Sequence, residues 1–415
     1  MDVAFHRVRV RTDEPALTDV AAATDDALAR CGVAVDAGDE VAVAVGSRGL
    51  HDLEAVVGRV VAWVREQGAV PFLVPAMGSH GGATADGQQA VLESYGLTAE
   101  RLGCPIRSSM DVVARPQGDC PVPVVTDARA AAAAATIVVN RVKPHTDFHG
   151  PYESGLMKMV AIGLGKRVQA EALHAHGTNG LRELMPLVAR QVLAHANVVL
   201  GVAIVENGLE RTMAIEAVPA ARIPDAEPRL LAMAAAHLAR LPVEALDVLL
   251  VDRMGKDISG VGMDTNVIGR TMIAGEADPP TPCIGMIACH ELTPASHGNA
   301  TGMGLADVVT RRLAEAVDHE VTRTNVVTSG FLLRGKLPVV ADDDRQAWDW
   351  CLRGAGIVDP GAVRAARIVD TLRCRDLWVT DAVLAELERD PTVAVLARGL
   401  RLHGDDGRLM PFDGS

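Results

Sequence analysis

Residues 41–45 read VAVAV and run into Gly46-Ser47-Arg48-Gly49, after which residues 53–66 carry apolar side chains at helical spacing. A short β-branched run closed by a glycine turn is the pattern of a strand buried on both faces, and the 3.6-residue spacing that of a helix packed on it. The plan then repeats. Residues 71–74 lead into Met77-Gly78-Ser79-His80-Gly81-Gly82 and another helical stretch. Residues 136–140 (TIVVN) pass directly into Arg141-Val142-Lys143-Pro144-His145-Thr146-Asp147-Phe148-His149-Gly150. Strand alternating with helix predicts a parallel α/β sheet, and three polar loops that follow strand carboxyl ends are expected to converge on one crevice.

Outward from that core, residues 197–206 read as a further strand, and residues 130–135, an alanine run, as part of a helix. The Ala- and Pro-rich segment 219–228 is expected to open an inter-domain connection. A second domain is expected from near Leu241: a strand over 246–251 (LDVLLV), a Gly-rich loop over 255–269, and helices over 304–318 and 344–353. The fold class predicted is α/β in two domains. An N-terminal, Rossmann-like layer domain with a parallel sheet spans 1–238, a smaller α/β domain spans 239–395, and the active site is expected between them. The tail 396–415 is expected to pack back on the N-terminal domain. A chain of 415 residues, 49% hydrophobic but only 3% aromatic, has enough aliphatic material for two cores.

The formal charge of −13, with no basic run, argues against nucleic acid as a partner, because that binding rests on clustered Lys and Arg. The seven cysteines form no C-x-x-C pair, so neither a zinc ribbon nor a disulfide frame is indicated, and reduced, mostly buried thiols are expected. No segment has signal-peptide or membrane-span character, so no membrane partner and a cytoplasmic setting are expected. A homo-oligomer is left open.

The densest chemistry lies between Lys143 and His176, where four histidines (145, 149, 174, 176) and three lysines (143, 158, 166) fall amid little bulk. A single histidine is most often a packed structural residue, but two pairs flanking a Gly-rich stretch suit a metal site, a proton-transfer site or both. Lys158 sits between Ser154-Gly155-Leu156-Met157 and Met159-Val160-Ala161-Ile162-Gly163, apolar company that favours a lowered pKa and covalent use over a solvated role. Arg48, on its glycine turn, can grip a carboxylate or phosphate through two parallel hydrogen bonds, or simply form a surface ion pair. His80 lies where glycines let backbone amides face a phosphate. Neither a Walker loop nor a G-x-G-x-x-G fingerprint is present. In the second domain, 255–266 and 296–302 read as site loops, the glycines allowing tight turns or close ligand approach.

In this order the residues resemble the nickel-pincer lactate racemase family, in which a pyridinium mononucleotide with two sulfur arms is tethered to a lysine and holds nickel. The likeness runs from about residue 40 to 180. Arg48 resembles the family's substrate-facing arginine, His80 its first catalytic histidine, Lys158 the tethering lysine, and His174, sixteen residues on, the histidine that ligates nickel. His149 and His145 compete for the second catalytic histidine, with spacing favouring His149. The resemblance implies a cofactor lined by Ser47, Gly78, Ser79, Gly81, Gly155 and Lys256; Lys256 and Lys336 are both candidates for the family's C-terminal substrate-binding lysine. Val45 replaces an acidic residue frequent in the family, and Leu156-Met157 is bulkier than its usual glycine-rich approach.

The resemblance implies a racemase or epimerase that inverts a small 2-hydroxy acid by reversible hydride transfer to the pyridinium ring. His80 and His149 or His145 would serve as opposed bases, and Arg48 would fix the carboxylate. Two other readings remain: a zinc or iron hydrolase or lyase using the same histidines, and a non-catalytic module that holds an anionic metabolite.

Overall fold

The computed structural model describes residues 3–47 and 49–413. The chain divides into two compact units, 14–238 and 1–13 with 239–415, each an α/β layer structure.

In the unit 14–238 a five-stranded sheet runs in the order Val70–Pro75, Glu40–Val45, Ala135–Arg141, Val198–Glu206 and Thr212–Pro219. The first four strands are parallel and the last antiparallel. The Glu40–Val45 strand, flanked on both sides, is buried along almost its whole length, as its unbroken apolar run requires. Alternate residues go to opposite faces: Val41, Val43 and Val45 join the core that includes Val56, Val57, Val60 and Val64 of the Leu53–Glu66 helix. Each such side chain stabilises the fold by roughly 1.5–3 kcal/mol through its burial. Ala42 and Ala44 join the other core with Leu156, Met157, Val160 and Ile162, and small side chains on that face let a helix approach closely.

Register fixes where the loops emerge. Val45 pairs with both Pro75 and Val139, so three carboxyl ends share one sheet edge. From the Glu40–Val45 strand the chain moves outward to Val70–Pro75, then returns to the opposite side at Ala135–Arg141. The reversal leaves a crevice at the carboxyl ends of Glu40–Val45 and Ala135–Arg141, the place where open α/β sheets bind ligands.

In the other unit the strands run Val339–Ala341, Val308–Thr310, Cys283–Leu292, Ala245–Met254, Ala365–Ile368, Asp376–Thr380, Ala4–Val10 and Val393–Arg401. The first five are parallel, the last three antiparallel. The expected division fails at both chain ends here. The first strand and the tail pair with each other rather than with the unit 14–238: Ala4–Val10 lies between Asp376–Thr380 and Val393–Arg401, with Phe5 and Val8 fully buried. Arg7 adds an ion pair to Asp376 at 2.8 Å. An otherwise open edge at Asp376–Thr380 is thereby closed by hydrogen bonds.

Three local expectations also change. Residues 304–318 hold the strand Val308–Thr310 before the short helix Arg311–Glu315. The alanine run splits, the Ala128–Ala132 helix ending before the Ala135–Arg141 strand. The 219–228 segment ends the Thr212–Pro219 strand, makes a 3-10 turn over Ala220–Arg222 and opens the Ile223–Ala236 helix, where Pro224 falls in the first turn and its missing N–H costs nothing. The Gly-rich loops of this unit interlock: Gly302 has φ +94°, and a Cβ there would lie 1.8 Å from the Val261 carbonyl oxygen. Close backbone packing accounts for that glycine without a ligand.

Candidate active site

Lys158 closes the short helix Leu156–Lys158, which passes into a π-helical turn, Met159–Gly163, and then the Lys166–His174 helix. Two polar groups hold the start of this run. Asn140 Nδ2, at the end of its strand, donates to the Gly155 carbonyl at 3.0 Å, and the Met157 N–H donates to Glu227 Oε2 at 2.7 Å. A Cβ on Gly155 would lie 2.3 Å from Glu227 Oε1, so glycine lets the carboxylate reach the helix head. Burial pushes the Glu227 carboxyl up to about 7, against the opposing pull of the Met157 and Leu156 N–H groups.

The Lys158 Nζ stands 2.5 Å from His145 Nε2. His145 Nδ1 accepts the Asp147 N–H at 3.0 Å, which orients the ring. Nε2 and the lysine nitrogen share one hydrogen bond, which holds the amine beside the imidazole. Asp147 also approaches His145 Nδ1, at 3.6 Å. His174, half-buried at the end of its helix, interacts electrostatically with both Lys158 and Asp147. Burial first, and the charge of protonated Lys158 second, hold it below the ordinary histidine value; Asp147 opposes them. A histidine so placed is neutral near pH 7, with a lone pair to donate. The sequence-predicted Lys158, His145 and His174 thus form one cluster with Asp147.

His80 reaches the same helix by another route. Gly78 has φ +59°, and a Cβ there would stand 2.9 Å from Ile162 Cγ2, so the loop carrying Ser79, His80 and Gly81 lies against the π-helical turn after Lys158. The Gly78 N–H also donates to the Gly163 carbonyl at 3.4 Å. His80 Nδ1 is hydrogen-bonded to the Ser47 hydroxyl, which joins the loops after the first two strands. Tyr95 OH donates to the Ser47 carbonyl at 2.7 Å and holds it in place.

His149 is differently placed, with half its side chain exposed and Nδ1 3.2 Å from Glu153 Oε1. His176 is exposed. Arg48 lies outside the described residues. Lys256 belongs to the unit 1–13 with 239–415, where its Nζ donates to the Gly260 carbonyl at 2.6 Å and to Asn325 Oδ1 at 2.5 Å. Lys336, exposed, is in that unit too.

Sequence reading missed Glu153, which is buried and accepts the N–H groups of His145 at 2.5 Å and Gly150 at 3.1 Å. Three donors converging on this carboxylate shape the loop that carries both histidines. The one sequence signal was an acidic residue between Tyr152 and Ser154, in a stretch whose other carboxylate is Asp147. Among the described residues no helix is long and apolar enough to cross a membrane. All seven cysteines are free thiols, six of them buried and Cys283 exposed.

Two α/β units, one with a lysine and histidines gathered at the carboxyl edge of a parallel sheet, define the structural class. Among solved structures the chain is similar to the lactate racemase apoprotein from Thermoanaerobacterium thermosaccharolyticum, with a TM-score of 0.51 and 11% identity over 88% of this chain and 94% of that one. At such low identity the likeness is one of fold. No family model matches the chain, and no curated protein matches it.

Proposed function

We propose that the protein is a racemase or epimerase of a small 2-hydroxy acid that works with a lysine-tethered nickel-pincer mononucleotide. The observation that carries this reading is the bond between Lys158 and His145, with His174 and Asp147 in the same cluster. The donor set fits such a group. Among the described residues no three His, Cys, Asp or Glu side chains are grouped as a metal site, whereas a zinc centre built from protein alone takes three or four. A group that brings its own donors needs one imidazole. Lys158 is proposed as the tether, His174 as the protein's ligand to the metal, and Ser47, Gly78, Ser79, Gly81 and Gly155 as the lining.

When bound, such a group supplies reversible hydride acceptance, which permits inversion at carbon without a carbanion. The chain's own contribution is proton transfer and orientation. His145 and His80 are proposed to take the hydroxyl proton from the two enantiomers in turn, and Arg48 to fix the carboxylate. A cytoplasmic setting belongs to the same proposal.

The test is intact-mass and metal analysis of the full chain, produced with the cofactor pathway, followed by chiral chromatography of a 2-hydroxy-acid panel. A mononucleotide adduct on Lys158 with nickel is expected. His174→Ala should lose the nickel, and His80→Ala should keep it while losing turnover. An unmodified Lys158 in a protein carrying stoichiometric zinc would overturn the proposal.

A further inference from the structure

Lys166 is fully buried and adopts φ +54°, a strained backbone conformation for a non-glycine residue that persists only where the surroundings impose it. Its Nζ lies 3.0 Å from Asp127 Oδ2, donates to Gln88 Oε1 at 3.1 Å, and donates to the Pro75 carbonyl. Two oxygens accept hydrogen bonds from this ammonium, and the Asp127 carboxylate beside it compensates its charge. Burial lowers the lysine's pKa, and Asp127 opposes that shift.

Gln88 is also fully buried. Its Nε2 donates to the Gly78 carbonyl at 2.9 Å and the His80 carbonyl at 3.2 Å. A primary amide has no intrinsic preference for which end faces which neighbour. Here the ammonium decides: rotated by half a turn, the amide would set N–H against N–H at Lys166 and oxygen against oxygen at both carbonyls. We propose that Lys166 is a positioning residue, which by orienting the Gln88 amide fixes the backbone from Gly78 to His80 and so the imidazole of His80. The same ammonium holds the Pro75 carbonyl at the end of the strand from which that loop departs. The lysine one helical segment beyond the candidate tether thus serves as an internal post, with no reactive role of its own. Its importance to turnover rests on the reading of His80 as an acid–base residue.

The test uses the full chain in three forms. Gln88→Glu keeps a partner for Lys166 but turns carboxylate oxygen toward two carbonyls. Lys166→Met leaves Asp127 charged and buried, so it is paired with Asp127→Asn, which can still accept the Ala130 N–H. Hydrogen exchange read by mass spectrometry should show residues 77–84 exchanging on the order of tenfold faster or more in both variants, with the Ala135–Arg141 strand unchanged. In cofactor-loaded protein kcat should fall about 10–100-fold with KM nearly constant. Folded variants in which 77–84 stays as protected as in the wild type would overturn the positioning role. So would a loosened loop with full turnover. Faster exchange in a chain whose wild type racemises nothing would support the positioning role and sink the functional reading alone.

Discussion

Turnover of the His145→Ala protein is expected to fall by about 10²–10⁴-fold, and that of His149→Ala by less than about tenfold. Spacing along the chain favours His149 as the second base, but position in the fold supports His145. Its Nε2 is 2.5 Å from Lys158 Nζ, and the Asp147 N–H on Nδ1 holds the ring in that position. His149 is half exposed and directs Nδ1 at Glu153, four residues away. Removing a solvated imidazole leaves the Glu153 carboxylate with its two backbone donors, so the loop survives. The measurement is the initial racemisation rate by chiral chromatography, with the Lys158 adduct counted by mass so that loading and turnover are separated. If His149→Ala were the inactive protein and His145→Ala nearly normal, the assignment would be reversed.

The parts of the fold legible in sequence are those set by neighbours close along the chain. Residues 41–45 read as a buried strand because burial on both faces demands an unbroken apolar run, and residues 53–66 as a helix because one face carries the valines. The sheet edge followed from strand direction. Lys158 stood out because its neighbours are apolar, a local property. What sequence reading missed is set by partners far away in the chain: Glu227 reaches Met157 across seventy residues, and Lys166 meets Gln88 across seventy-eight. Neither residue is unusual in its own segment. The N-terminal strand was misplaced for a related reason: nothing in residues 4–10 encodes that the free edge they complete lies at Asp376–Thr380. Glycine density in 255–269 and 296–302 looked like ligand approach, yet at Gly302 it answers to a backbone carbonyl of the same unit.

The second large effect is on stability. Glu227→Gln is expected to leave the protein about as stable as the wild type near pH 4.5 and to make it more stable above pH 7, by up to about 3 kcal/mol. The sign follows from proton uptake. Burial lifts the Glu227 carboxyl from 4.5 to about 7, so between those values the folded chain keeps a proton that the unfolded chain has released. Stability of the wild type therefore declines as pH rises through that window and levels off beyond it; a gap of some 2.5 units corresponds to about 3 kcal/mol. Glutamine has no proton to lose there, and its oxygen can still accept the Met157 N–H. Its amide nitrogen would occupy the side of Oε1, which has no hydrogen-bond partner in the wild type. Taking the difference between the two proteins cancels the other titrating groups, so urea midpoints at pH 5 and pH 8 suffice, with equal slopes confirming comparable unfolding. A stability difference that is the same at both pH values would show that Glu227 does not titrate in this range. If the difference does open with pH, the wild type tolerates a cost near neutrality to keep a carboxyl at the head of the helix that carries Lys158. The glutamine variant would then separate that group's effect on stability from its effect on the lysine.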